Sequence, residues 1–206
     1  MQKYNIRCRK ALMSDDIESI ARYLHLTDIY IYPKLCQDPS DKEWVEFVRN
    51  CMKKENNIFN INHLSVVLHD DDIIGVMCVI PCGKKLNFTY NADDVSTNFA
   101  DKLGLVTEGY FDPLMSETLS YDGVNITNVC IDSSYQGKGI GTLLMSYGVK
   151  EYGAQTMHLD VIASNEAAIK LYKRFGFEFT NEYYGYSGDD TKLLCYHMIR
   201  TPNTTR

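Results

Sequence analysis

Apolar positions along the chain change their period several times, and each change marks an element. Tyr4 to Arg9 is short and rich in β-formers. Ser14 then stands as an N-cap before Asp15, Asp16 and a run with Ile17, Ile20, Ala21 and Leu24 at helical spacing, which predicts strand, cap, helix. Thr27 to Pro39 is aromatic and irregular, with Tyr30, Tyr32 and Pro33, and Ser40 is placed to cap a second helix with Trp44, Phe47, Val48 and Cys51 on its apolar face. Two β-branched runs, His63 to Leu68 and Ile73 to Ile80, flank the turn-forming cluster His69 to Asp72 and predict an antiparallel hairpin.

The pattern then breaks. Residues 81–123 are mixed and polar, with a helical pattern only around Thr97 to Leu105, and read as an insertion or lid, because so long a stretch between strands is unusual in a compact domain. Regularity returns after Gly123. Val124 to Asp132 reads as a strand, Gly139 to Tyr152 as a helix with Leu143, Leu144 and Tyr147 on its inner side, and Met157 to Ile162 as another strand. Strand, helix, strand implies a parallel crossover. Asn165 opens a further helix with Ala168, Leu171, Tyr172 and Phe175 along one side and Gly176 as its C-terminal stop. Phe177 to Tyr186 and Leu193 to Ile199 are two last strands about the turn Gly188, Asp189, Asp190.

Composition narrows the function. The 206 residues fit one domain; 45 % apolar and 23 % charged residues exclude disorder and a disulfide miniprotein. A net charge of −6 without basic runs argues against nucleic acid. Seven scattered cysteines with no metal-ligand spacing read as reduced thiols, with no metal implied, and no stretch has the apolar length of a signal peptide or membrane span. The expected setting is cytoplasmic and away from membranes.

Chemistry concentrates in Gln136, Gly137, Lys138, Gly139, Ile140 and Gly141, between a strand and a helix. Glycines let backbone approach a ligand, and amides at a helix N-terminus face an anion with the helix dipole behind them, as a pyrophosphate requires. The Walker pattern fails because Lys138 is followed by Gly-Ile-Gly instead of Ser or Thr, and the dinucleotide fingerprint fails on spacing and on its late position. A simple tight turn stays open as the reading of the glycines alone.

The loop has companions: the preceding Val-Cys-Ile-Asp, the Asn165 downstream, and the string Ala168 to Phe177, AIKLYKRFGF. Together these resemble the GNAT superfamily of N-acetyltransferases, most closely from about Ile126 to Phe179. The resemblance implies a mixed, mostly antiparallel sheet whose central parallel strand pair splays around acetyl-CoA, with helices on both faces, in a single domain over 1–206. It implies that Val129, Cys130 and Ile131 hold the pantetheine arm by their backbone, that Gln136 to Gly141 with Thr142 hold the pyrophosphate, and that Asn165 bonds the cofactor arm. It places Tyr172 where a tyrosine protonates the departing CoA thiolate. In members resembling the ribosomal-protein N-terminal acetyltransferases, a Glu in the strand matching Leu159-Asp160-Val161 is the base; here it is Asp160, one methylene shorter.

The residue types suit aminolysis of a thioester, which needs a neutral amine, an oxyanion donor and an acid for sulfur. A phenol with a pKa near 10 keeps its proton at neutral pH. Alternation turns Asp160 away from Leu159 and Val161; Asp132 and Glu108 are the other carboxylates in view. Tyr30, Tyr32 and Pro33, and Tyr183, Tyr184 and Tyr186, are candidate walls of an amine-acceptor site, with Tyr30, Tyr32 and Tyr184 foremost. The acidic surplus of 81–123 would suit a cationic amine. Cys130 reads as a buried thiol and not an acyl carrier. The expected activity is acetyl transfer from acetyl-CoA to a primary amine by direct attack in a ternary complex. A non-catalytic acyl-CoA sensor of the same fold and a nucleotide-binding protein are the alternatives, and an edge strand near the C-terminus could pair across a homodimer.

Overall fold

The strands of the computed structural model are β1 (Ile6–Lys10), β2 (Leu64–His69), β3 (Asp72–Pro81), β4 (Val124–Ile131), β5 (Met157–Ile162), β6 (Glu178–Tyr186) and β7 (Lys192–Arg200), in one sheet ordered β1-β2-β3-β4-β5-β7-β6. The structure describes residues 5–28, 32–83, 86, 95–106, 122–186 and 192–202. Every pairing is antiparallel except the central one, β4 with β5. This is the mixed α/β architecture with a central parallel pair that the sequence predicts.

The helices are α1 (Ile17–His25), α2 (Tyr32–Leu35), α3 (Lys42–Met52), α4 (Thr97–Val106), α5 (Ile140–Tyr152) and α6 (Glu166–Arg174). Strand alternation divides the apolar residues between two cores. One takes α1 to α4 with Val66, Val76 and Ile80 from one sheet face; the other takes α5 and α6 with Met77, Ile126, Leu159 and Met198 from the opposite face. The first is aromatic: Trp44 is fully buried, stacks on Phe47, and donates its indole N–H to the Ala21 carbonyl at 2.8 Å, tying α3 to α1. Helix α4, within the segment read as an insertion, sends Phe99 and Leu103 into this core. Most of the rest of 81–123 lies outside the described residues.

Three sequence expectations are corrected. Asp16, not Ser14, caps α1, because Asp15 is taken by Arg9 at 2.6 Å and by the Leu12 N–H, leaving Asp16 to accept from Glu18. Asp41, not Ser40, caps α3, accepting from the Glu43 and Trp44 amides. On α5 the buried stripe is Ile140, Leu144, Met145 and Gly148, and Leu143 is exposed. Gly148 sets that rotation, since a Cβ there would lie 3.0 Å from the Met77 methyl on β3. Among the described residues no helix is long and apolar enough to cross a membrane.

Candidate active site

The site begins where two strands part company. β4 and β5 are in parallel register at three positions only, the last being Ile126 opposite Leu159. At the next residue, Thr127, β4 carries a bulge: Val79 of β3 faces Ile126 and Cys78 faces Asn128, leaving Thr127 unmatched. A bulge bends its strand and raises the local twist. Beyond it β4 runs on with β3 as far as Ile131, while β5 runs on with β7 as far as Ile162. The backbone groups of β4 that face β5 past Ile126 therefore have no ladder partner there. Val129, Cys130 and Ile131, the residues expected to hold the pantetheine arm, line this gap, each partly buried. Gly75 lets β3 follow β4 closely, because a Cβ there would meet the Cys130 carbonyl at 2.5 Å. Burial pushes the Cys130 thiol up to about 11, so it stays protonated and is no nucleophile at neutral pH.

The chain leaves β4 through a single 3₁₀ turn (Ser133–Tyr135) capped by Asp132 and enters the glycine loop. Gln136 turns back and donates to the Ile131 carbonyl at 3.1 Å, closing the loop on the strand. Gly137 and Gly139 have φ of 73° and 83°, a left-handed conformation that glycine adopts without strain. A Cβ at either position would meet nothing within 4 Å, so open space lies over the loop. Gly139 is the N-cap of α5 and no side chain caps the helix, leaving its first-turn amides to an outside acceptor. Arg174 of α6 reaches Thr142 at 3.4 Å, adding a cation beside the loop. Uncapped helix amides with a cation beside them are the groups that an anion such as a pyrophosphate requires.

Tyr172 is held from α6. Asn165 caps that helix by accepting from the Ala168 amide at 3.2 Å, a structural duty alongside its expected contact with the cofactor arm. At the other end Gly176 has φ of 81°; its N–H donates to the Lys173 carbonyl and the Phe177 N–H donates to the Tyr172 carbonyl. This is a Schellman closure, with its usual apolar contact made by Tyr172 and Phe177, whose rings lie 6.0 Å apart. The Tyr172 ring is buried in the same core that Val129 and Ile131 pack against, and burial pushes its hydroxyl up to about 12.

The opposite face of the sheet is polar at the gap. Asp160 turns toward it, as alternation predicts, and lies opposite His197 on β7 in the register. Its carboxylate is 2.9 Å from Nδ1 of His197, which is buried. Nε2 of His197 lies 3.3 Å from Nδ1 of buried His158, whose Nε2 lies 3.1 Å from the Asp122 carbonyl. On β4, Asn128 donates to Thr27 at 2.7 Å and to the Tyr32 hydroxyl at 3.3 Å. Asn128, His158 and His197 escaped the sequence reading. The spacing of His158 and Asp160 put them on one face, but His197 joins them only through a strand register that no local pattern encodes.

The remaining expected residues divide. Tyr32 is buried among His25, Trp44 and Phe59 and presents only its oxygen to Asn128. Tyr184 pairs with Leu194 and so faces the α5 and α6 side, away from Asp160; the register gives the Asp160 face Tyr183 instead, opposite Cys195. Asp132 accepts from Ser134 and from Tyr23 at 2.9 Å, and these bonds hold its carboxyl below the usual range, which suits a cap and not a base. Tyr30 and Glu108 lie outside the described residues, and so does the side chain of Tyr186.

Residues 23–177 match the model of the acetyltransferase (GNAT) family. The spermine/spermidine N(1)-acetyltransferase of Bacillus subtilis (strain 168) is 33 % identical over 86 residues, 40 % of this chain and 56 % of that protein. The [ribosomal protein bS18]-alanine N-acetyltransferase of Escherichia coli (strain K12) is 39 % identical over 59 residues, 27 % of this chain and 40 % of that protein. Both matches thus span about half of the relatives' own length or less. An Arabidopsis thaliana protein solved with the bisubstrate analogue CoA-Ac-MVNAL shares the fold at a TM-score of 0.57, with 16 % identity over 95 % of this chain and 98 % of that one.

Proposed function

The chain belongs to the acetyltransferase (GNAT) family, and from that premise we propose that it transfers an acetyl group from acetyl-CoA to a primary amine by direct attack, with both substrates bound together. The observation that carries this reading is the bulge at Thr127. It ends the β4–β5 ladder at Ile126, on the strand that leads to the uncapped glycine loop and beside the strand that carries Asp160, which supports laying the thioester arm in the gap.

Acetyl-CoA supplies the activated carbonyl. The amides of Gly139 to Thr142 hold its pyrophosphate, and the unpaired β4 amides beyond Ile126 run along its arm and donate to the carbonyl oxygen as that oxygen gains charge. Asp160 takes the proton of the attacking amine, directly or through one water, because a side chain one methylene shorter than Glu leaves a gap. Tyr172 keeps its proton across the neutral range and gives it to the departing sulfur. The two relatives named for spermine/spermidine and for a ribosomal-protein alanine make a polyamine and a peptide α-amine the acceptors to try first.

The test is a thermal-shift titration with acetyl-CoA, CoA, ATP and NAD, followed by thiol release from acetyl-CoA with spermine and with a peptide bearing N-terminal alanine. Stabilisation by the CoA species and amine-dependent release is the expected result. Stabilisation without release from either acceptor points to a sensor, and no stabilisation by either CoA species overturns the reading.

A further inference from the structure

The face that carries Asp160 contains more proton chemistry than a lone base requires. A carbonyl oxygen only accepts, so the 3.1 Å contact with Asp122 requires His158 to carry a proton on Nε2. Burial lowers the pKa of His158, which keeps it neutral and leaves Nδ1 with a lone pair. That lone pair faces Nε2 of His197 at 3.3 Å, and a hydrogen bond between them requires His197 to carry a proton on Nε2. Its Nδ1 then meets the Asp160 oxygen at 2.9 Å, a contact between two lone pairs unless one more proton lies between them.

We propose that Asp160 and His197 hold a single shared proton, fixed in place by His158 and the Asp122 carbonyl, and that the pair takes up an amine proton only after releasing it. The inference rests on Asp160 being the base of the proposed reaction. In the loaded state, a second proton on Asp160 would make it a neutral acid that no longer offsets the charge of the buried imidazolium beside it. In the empty state, Asp160 is a carboxylate beside a neutral ring, and the proton of the amine nitrogen passes to its oxygen as the C–N bond forms. His197 is therefore a positioning residue that sets when Asp160 works. Among the described residues, the other groups near the pair are Cys195 two residues along β7, Tyr183 of β6 hydrogen-bonded to the Cys195 sulfur, and Asp28 after α1; burial and the two carboxylates keep the Cys195 thiol protonated.

Nitrogen-15 spectra of the histidines in the full chain at neutral pH, without substrate, read the proton directly. The expected result is His158 as the Nε2–H tautomer and His197 protonated at both nitrogens, falling to one proton in Asp160→Asn at the same pH. A neutral His197 in the wild-type chain overturns the proposal. The second arm compares kcat/KM of His197→Asn, whose amide keeps a donor toward Asp160, with wild type from pH 6 to 9, using whichever of spermine and the alanine peptide turns over. The variant-to-wild-type ratio is expected to rise as pH falls, by up to about tenfold per pH unit; a purely structural role lowers the rate by one factor at every pH, and that outcome overturns it. Absence of turnover with both acceptors, together with absence of stabilisation by CoA, defeats the proposed function instead, and the spectra still decide where the proton resides.

Discussion

The two sides of the β4–β5 gap are built on different principles. On the α5 side the chain offers backbone: a loop of glycines in left-handed conformation, an uncapped helix, and strand amides with no ladder partner. On the α1 side it offers side chains, with Asp160, His197, His158, Asn128 and Thr27 each committed to a named neighbour. Backbone amides serve an invariant ligand part such as a pyrophosphate and tolerate exchange of the residues that carry them. A side-chain network fixes protonation and shape, and each member depends on the next. In the proposed reaction the cofactor therefore meets backbone, and the acceptor meets side chains.

Substitutions can break that contrast, and the largest effects are expected at the two groups proposed to move protons. Asp160→Asn and Tyr172→Phe should each lower turnover about 100-fold or more, while leaving the stabilisation of the protein by acetyl-CoA unchanged in a thermal-shift titration. A matching loss of acetyl-CoA binding would show that the two sides are not separate. Next is Gly75→Ala, whose methyl group would collide with the Cys130 carbonyl at 2.5 Å. It should cost about 2 kcal/mol in urea unfolding and impair both sides, since β3 supports β4 along the gap.

A finer test lies in the loop. Gly139→Ala has open space for its methyl group, so its cost is the left-handed backbone, about 1 kcal/mol in urea unfolding. A loss of acetyl-CoA affinity larger than that cost would mean that the ligand occupies the space the methyl fills. The smallest effect concerns pH. The pKa of His158 lies below its ordinary 6.5 in the folded chain, so the unfolded chain takes this proton more readily. The resulting stability is full above pH 6.5 and is lost as pH falls below it. His158→Gln should flatten the decline of Tm between pH 7 and pH 5 relative to wild type.

What could be read from the sequence follows the same division. The glycine loop, the α6 helix with Asn165 and Gly176, and the β-strands were legible because their signals are contiguous: periodicity, turn residues, and a spaced motif. The His158–Asp160–His197 line was not, because His197 reaches Asp160 across 37 positions through the β5–β7 register. Tyr183 and Tyr184 were indistinguishable for the same reason. Side-chain facing along β6 depends on a register shift between Phe179 and Asn181, where one extra residue reverses the alternation. The caps were missed by one or two residues because an aspartate within two positions of Ser14 and of Ser40 takes each capping place, Asp16 on α1 and Asp41 on α3.

The three paired positions of β4 and β5 have a consequence for how the molecule could be altered. They lock the phase of β4 immediately ahead of the bulge, so the strand enters the site with the same side chains inward whatever the length of the segment that delivers it. A change of chain length between Cys82 and Asp122 therefore leaves this register as it is, provided Leu86, Phe99 and Leu103 keep their places in the core and the Asp122 carbonyl keeps its contact with His158.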